Sequence, residues 1–286
     1  MTGIPSASAY ERHFERASLW GLLRRGHPYD FRETYDVVRE LYGYHAHYVN
    51  LGRWDDPGAE PGRALAFAVT DGLDLRGGDA VVEVGSGLGQ AAVDLATSRG
   101  VAVVGLNPNR RQVAFATELA REVGVADRVT FEADDAATAL ARRPEGSVDG
   151  VLAVECVGHL PDPASFLGQA RRVLRPGRRL AFCGSFATGP LGVGERAIAR
   201  ATFGFVPASE AVWRDRLDAA GFVDVAVDDW TDVVLRPNLA RLHGDALRPV
   251  PPAARWLVRR LIRATDAAVR DGRLIYGCFV ATRGAA

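Results

Sequence analysis

The sequence predicts an α/β fold: a doubly wound, mostly parallel sheet covered by helices on both faces. Three observations predict it. Asp79 to Glu83 have high strand propensity and run into Gly85, Gly87 and Gly89, after which an Ala- and Leu-rich helical pattern begins. Strand-like and helix-like segments then alternate at short intervals as far as Ser185. Turn residues punctuate the alternation, with Gly124, Pro144 and Arg175-Pro176-Gly177 each closing a helical stretch.

Taken in order, residues 1 to 9 are small and polar, and Tyr10 to Arg25 and Phe31 to Tyr42 have helical spacing on either side of a Gly-His-Pro break. An aromatic-rich run follows from Tyr44 to Trp54, then a Pro/Gly loop at Pro57 to Gly62. So much aromatic surface ahead of the first strand reads as a cap, or as padding for the core. A helix over Arg63 to Gly72 leads into the first strand. Beyond the glycine turn a helix runs to Arg99, and strands are expected at Val101 to Leu106, Arg128 to Ala133, Val148 to Glu155 and Arg179 to Ser185. The helices between them span Asn109 to Val123, Ala136 to Arg142 and Pro163 to Leu174. The rest departs from strict alternation, with helices near Val193 to Phe203 and Glu210 to Ala220, a strand from Phe222 to Trp230, helical material from Leu235 to Arg270 and a last strand at Arg273 to Thr282. The economical organisation is one domain: a cap over residues 1–62 and a core over 63–286 with lid insertions at about 186–208 and 231–270.

Composition excludes several classes. Among 286 residues, 48% are hydrophobic, enough for a substantial core. The 35 basic residues balance 35 acidic ones, so nothing argues for a nucleic-acid partner. Every basic residue is arginine, which rules out Schiff-base chemistry and a phosphate-binding lysine in this chain. Cys156, Cys183 and Cys278 lack metal-ligand spacing, so neither a disulfide framework nor a metal is expected. No apolar run approaches the ~20 residues of a membrane span, and a reducing cytoplasm fits the cysteine usage.

The glycine turn points to a nucleotide-like ligand, because a helix start offers unpaired N–H groups. A dinucleotide is disfavoured. The third glycine comes one residue early, Gln90 stands in its place, the second strand ends in Asn107 rather than an acid, and Glu83 would repel a pyrophosphate. Next to an ammonium group Glu83 would be favourable.

At this point the chain resembles the class I S-adenosylmethionine-dependent methyltransferases. It is most similar to the branch holding sterol and isoprenyl diphosphate C-methyltransferases, cyclopropane fatty acid synthases and antibiotic-pathway O-methyltransferases. The resemblance rests on Gly105-Leu106-Asn107-Pro108-Asn109-Arg110-Arg111-Gln112 after the second strand, Ala133-Asp134-Asp135 after the third, Glu155 to Asp162 after the fourth with Val173 to Gly177 beyond, and Tyr35-Asp36 to Tyr42 ahead of the core. It implies a Rossmann-like sheet of seven strands with the last antiparallel, and S-adenosyl-L-methionine as cofactor. It also implies roles for single residues. Glu83 would hold the methionine ammonium group, the backbone from Gly85 through Ser86 and Gly87 to Gly89 would pass the methionine and ribose, and Asn107 would bond the ribose hydroxyls. Asp134 and the backbone at Asp135 or Ala136 would meet the adenine, Tyr35 is a candidate for the methionine carboxylate, and Gln112 is either a surface residue or a ligand contact.

Methyl transfer needs an acceptor held in line with the sulfonium carbon and protected from water. Glu155 and His159, where the fourth strand leaves the sheet, are the catalytic candidates. The resemblance offers His159 as base for a hydroxyl acceptor, or Glu155 as base and cation stabiliser for a carbon acceptor. Gly158-His159 stands where the O-methyltransferases carry a His-His pair, and Ser185 where some have an acid, which tilts the reading towards carbon. A cyclase that binds the cofactor without transferring its methyl group is a further alternative. A hydrophobic small molecule of secondary metabolism is the expected substrate. His45 and His47 sit two apart in the aromatic run as cap contacts, and the arginines Arg255, Arg259, Arg260, Arg263 and Arg270 form a solvated face, a substrate-facing patch or a homo-oligomer contact.

Overall fold

The computed structural model describes residues 48–243 and 252–284. Tyr35, His45, His47 and the helices expected between Tyr10 and Tyr42 lie outside them. Seven strands form one sheet: β1 (Ala80–Val84), β2 (Ala102–Leu106), β3 (Val129–Glu132), β4 (Val148–Val154), β5 (Leu174–Ala187), β6 (Phe222–Asp229) and β7 (Leu274–Arg283). Their order is β3-β2-β1-β4-β5-β7-β6. Pairing is parallel from β3 across to β5, and β7 runs antiparallel to both β5 and β6. The expected fold is therefore the observed one. The chain winds outward from β1 to β3 and returns to β4 on the other side of β1, which makes the C-terminal ends of β1 and β4 the switch point of the sheet. Ligands of open α/β sheets bind in that crevice.

The helices are α1 (Pro61–Asp71), α2 (Gln90–Arg99), α3 (Arg110–Val123), α4 (Ala136–Ala141), α5 (Pro163–Val173), α6 (Val193–Phe203), α7 (Glu210–Ala219), α8 (Arg236–Leu242) and α9 (Pro252–Arg270). One face of the sheet packs on α1 and α2 through Leu65, Val69, Leu95 and Ala96, with Ile262 and Val269 of α9 at the β7 end. The other packs on α4, α5 and α7 through Leu140, Phe166, Leu167, Trp213 and Leu217. There Phe182 of β5 stacks on Phe279 of β7 at 4.8 Å and 5°, with Trp213 at 5.1 Å. The middle strands are buried on both sides, which is why they read as continuous apolar runs.

Three boundaries differ from the sequence reading for local reasons. Helix α1 begins inside the expected Pro/Gly loop, because Glu60 caps it by accepting from the Gly62 and Arg63 amides and Pro61 suits a first helical turn. Strand β5 begins at Leu174 rather than Arg179, since Leu174 pairs with Val148 before the register shifts and Arg179 pairs with Gly150. A π-helical turn, Thr231–Leu235, precedes α8. Such turns bulge the helix and leave no periodic signature in a sequence.

At the opposite end of the sheet from the switch point, Asp149 is buried with pairing on every side. It accepts from the Ala80 amide at 2.9 Å, and pairs with Arg175 and, at 3.2 Å, with Arg178. Burial pushes its carboxyl up, but the Arg175 hydrogen bond, the Ala80 amide and both guanidinium charges outweigh that and hold it below the usual carboxylate range. A depressed folded pKa stabilises the fold above the unfolded value and loses that contribution as pH falls through the folded one. Asp149→Asn is expected to cost about 2 kcal/mol at pH 7 and much less near pH 3, measured by urea unfolding at both.

Candidate active site

The turn after β1 gathers the first half of the site. Gly85, Gly87 and Gly89 all have positive φ, at 72°, 53° and 83°. Their reasons for being glycine differ. A Cβ on Gly85 would lie 2.5 Å from the Cys156 Cβ, and one on Gly89 would lie 2.6 Å from the Ala116 Cβ, so protein packing forbids side chains there. At Gly87 a Cβ would meet only Val49 atoms at 3.8 Å, an ordinary contact, so its positive φ rather than packing favours glycine. Packing thus leaves Gly87 as the one of the three whose backbone no described side chain crowds.

Behind the turn Glu83 is buried, opposite Gly105 and Leu152 in the sheet. One of its oxygens, Oε2, has no hydrogen-bond partner among the described residues, and neither has the buried Ser86 hydroxyl. Burial pushes the Glu83 carboxyl up to about 8, offset in part by a hydrogen bond from the Ala92 backbone in the first turn of α2. An orphaned buried carboxyl oxygen is expensive in an apolar surround. It becomes favourable when a cation with N–H donors arrives, and the ammonium group of an amino-acid-bearing nucleoside is such a cation. The residues present thus fit the cofactor that the turn implies.

Asn107, at the end of β2, is more engaged than expected. Its amide nitrogen donates to the Gly87 carbonyl at 3.1 Å and to Gln112 Oε1 at 2.8 Å, while its Oδ1 accepts from the Asn109 amide at 3.0 Å. Both donor hydrogens are used, so a ribose hydroxyl would have to donate to the second lone pair of Oδ1. Gln112 is buried beneath the turn rather than on the surface. It struts Asn107, and through Asn107 the Gly87 peptide. Asp134 pairs with Arg142 at 2.6 Å and accepts from the Asp135 amide at 2.8 Å; that Arg142 hydrogen bond holds it below the usual carboxylate range. The Asp135 side chain caps α4 by accepting from Ala137 and Thr138, and its backbone is engaged as well, the amide with Asp134 and the carbonyl accepting from the Ala139 amide at 2.9 Å.

The second half of the site stands across the switch point. Glu155 follows β4 with a φ of 54°, a conformation that side-chain-bearing residues adopt at a cost and that concentrates at functional positions. One carboxyl oxygen accepts from Tyr276 of β7 at 2.7 Å and the other from the Leu51 amide at 2.9 Å. Burial pushes the carboxyl up to about 7, against the lowering effect of those two bonds. Cys156 packs under the Gly85 turn, its thiol donating to the Val84 carbonyl at 3.0 Å. His159 lies on the short 3₁₀ turn Val157–His159, edge-on to Phe205 with ring centroids 4.7 Å apart. Any Cβ at Gly158 would run into the Phe205 ring, which accounts for the glycine beside His159: an aromatic from the segment after α6 fills that space.

The contacts of several participants escaped the sequence reading, including those within the aromatic run from Tyr44 to Trp54 that reads as a cap. The segment from Tyr48 to Trp54 straps the two halves together, with Tyr48 donating to Asp94 at 2.6 Å, Leu51 donating to Glu155, and the Leu51 carbonyl accepting from Trp54 Nε1 at 3.0 Å and Asn238 of α8 at 2.7 Å. Arg241 stacks over Trp54 at 4.0 Å. Tyr276 and Cys183 lie behind Glu155. Only the unusual Tyr among small and aliphatic residues on β7 hinted at them. No helix among the described residues is long and apolar enough to cross a membrane, and no His, Cys, Asp or Glu group among them is arranged to hold a metal ion.

Comparison with known proteins meets this geometry. A family model described as a methyltransferase domain matches residues 82–182, the span from β1 into β5. Over 165 residues the chain is 38% identical to a 27-O-demethylrifamycin SV methyltransferase of Amycolatopsis mediterranei, a match that covers 57% of this chain and 58% of that one. A 2-methyl-6-phytyl-1,4-hydroquinone methyltransferase of Synechocystis sp. is 32% identical over 235 residues, covering 76% of this chain and 71% of the relative. The match thus spans a little over half the length of the rifamycin relative and more than two thirds of the other. Among solved structures, that of the [4+2]-cyclase SpnF has a TM-score of 0.73 at 21% identity, covering 90% of this chain and 95% of that one, a likeness of fold. Sheet order, glycine turn and these matches together make the chain a member of the class I S-adenosylmethionine-dependent methyltransferase family.

Proposed function

We propose that this chain is an S-adenosylmethionine-dependent methyltransferase of secondary metabolism that methylates a hydroxyl group on a hydrophobic small molecule, with Glu155 as the base. The observation that carries the reading is Glu155 itself: a carboxyl with a proton affinity near neutrality, fixed at the C-terminal end of β4, across the switch point from the orphaned oxygen of Glu83. The name of the rifamycin relative supports oxygen as the acceptor.

When bound, the cofactor supplies an electrophilic methyl group on a sulfonium centre. Glu83 and Ser86, with Gly87 presenting its backbone, would hold the amino-acid end, Asn107 the ribose, and Asp134 with the backbone at Asp135 or Ala136 the adenine. Tyr35, His45 and His47 belong to the cap proposed over residues 1–62. Phe205, His159 and the strap from Tyr48 to Trp54 exclude water from the acceptor side. Glu155 would take the proton of the acceptor hydroxyl, leaving that oxygen to receive the methyl group as the carbon–sulfur bond breaks. A base that is ionised at pH 7.5 and still basic enough to accept suits that task. His159, on the turn just after Glu155, would orient the acceptor.

Carbon as the acceptor is the second reading. The same carboxylate would stabilise a cation formed when an alkene attacks the methyl group and would then remove a proton. A panel of hydroxylated polyketides, macrolides and terpenoids with methyl-labelled cofactor tests both readings. S-adenosylhomocysteine formed one-for-one with a methyl ether is the expected result. A new C–CH₃ bond in the product spectrum would replace oxygen by carbon, and a rearranged product without any S-adenosylhomocysteine would overturn methyl transfer in favour of a cyclase.

A further inference from the structure

The back side of Glu155 holds three linked groups that the sequence did not bring together. Tyr276 is fully buried on β7, opposite Ser185 of β5, and its diagonal neighbour on the same face is Cys183. Its hydroxyl lies 2.7 Å from Glu155 Oε1 and 3.2 Å from Cys183 Sγ. An ionised carboxylate only accepts, so the one phenolic hydrogen points at Glu155, and the Cys183 thiol must donate to the phenol oxygen. The thiol, phenol and carboxylate therefore form a directed chain. Strand β5 also holds Glu155 from its main chain, since the Glu155 amide donates to the Cys183 carbonyl at 3.1 Å.

We propose that Tyr276, polarised by Cys183, is a positioning residue for the proposed base: it holds one carboxyl oxygen of Glu155 and sets the pH at which that carboxyl gives up its proton. The inference rests on the reading of Glu155 as base. It follows from the geometry because the site has no other side-chain donor to either carboxyl oxygen among the described residues; the second oxygen is held by the Leu51 main-chain amide. A core tyrosine at this point is otherwise costly, since its hydroxyl must be satisfied inside a buried strand interface.

The titratable groups around Glu155 are few. From β7 there is Tyr276, and from β5 Cys183, whose thiols and phenols burial keeps protonated. From the turn after β4 there are Cys156, also driven up by burial and by the Glu83 and Glu155 charges, and His159. The strap contributes a main-chain amide only. Among the described residues no cation faces the carboxyl, so the phenol's hydrogen bond is the principal side-chain influence there that favours the ionised form.

The test is a titration of the full-length chain labelled with glutamate carrying ¹³C at Cδ, in which Glu155→Gln identifies the resonance by its loss. In the unaltered protein that carboxyl is expected to titrate near neutrality. Tyr276→Phe removes one charge-assisted hydrogen bond and should move the midpoint upward by about one pH unit. Cys183→Ala should move it the same way by less, and provides the test if Tyr276→Phe does not fold. An unmoved or lowered midpoint in both variants overturns the inference. The reading of Glu155 as base stands or falls separately, on whether Glu155→Gln loses methyl transfer. If both hold, the acid limb of the pH–rate profile shifts with the resonance, whereas a merely structural role for Tyr276 would lower the rate equally at every pH.

Discussion

Replacing Glu83 by Gln is expected to weaken S-adenosylmethionine binding about 100-fold, because one charge-assisted hydrogen bond to a buried carboxylate is lost. Calorimetric titration of the two proteins measures it, and affinity within threefold of the original would remove Glu83 from the cofactor site. A second consequence concerns the protein without ligand. The Glu83 carboxyl has a folded pKa of about 8, above its unfolded value near 4.5. A raised acid pKa means that the native state keeps a proton that the unfolded chain has released, so the stability it contributes is lost as pH rises between those values. The fall approaches about 1.4 kcal/mol per pH unit for a single such group. Thermal unfolding should therefore show the ligand-free protein losing stability between pH 6 and 8, and Glu83→Gln flattening that slope. It should not abolish it, since Glu155 adds a term of the same sign over a window ending near 7. Cofactor reverses the trend. The ammonium group favours ionised Glu83, and binding should tighten as pH rises from 6 to 7.5 in the unaltered protein alone.

How far this site was legible in the sequence follows from how local its signals are. Asp79 to Gln90 carries its own evidence, since a strand, three close glycines and a helix start need only a dozen neighbouring residues. Glu83 and Glu155 stood out because an acid at a buried strand end needs a partner or a purpose. What held Glu155 did not stand out. Its partners Tyr276 and Leu51 are 121 and 104 positions away, and only the winding of the sheet brings β4, β7 and the strap together. The reasons behind residues were harder to read than the residues themselves. Gly85 and Gly89 answer to Cys156 and Ala116 more than to a ligand, Gln112 is a buried strut, and Gly158 answers to Phe205. Each depends on a packing contact across elements, and periodicity or spacing carries no record of such contacts.

Glu155→Gln is expected to lower kcat by about 10² to 10⁴ while leaving cofactor affinity within threefold. The substitution suits the local hydrogen bonding. Gln can keep its oxygen towards the Leu51 amide and turn its nitrogen to the Tyr276 oxygen, whose hydrogen is then free to swing to Cys183 Sγ at 3.2 Å. The strap, the sheet and the glycine turn should stay in place, and only the ability to take a proton is removed. In the unaltered protein the base must be ionised to act, so the rate should fall as pH drops through about 7. The residual rate of Glu155→Gln should lack that limb. A rate loss confined to KM, or an acid limb that survives the substitution, would move the base elsewhere, and His159 is then the next side chain to replace. The size of the loss also bears on the acceptor. A phenolic hydroxyl already gives up its proton readily and depends little on the base, so a loss near the lower end of the range points to a phenol, whereas an aliphatic hydroxyl needs the carboxylate throughout and places the loss near the upper end.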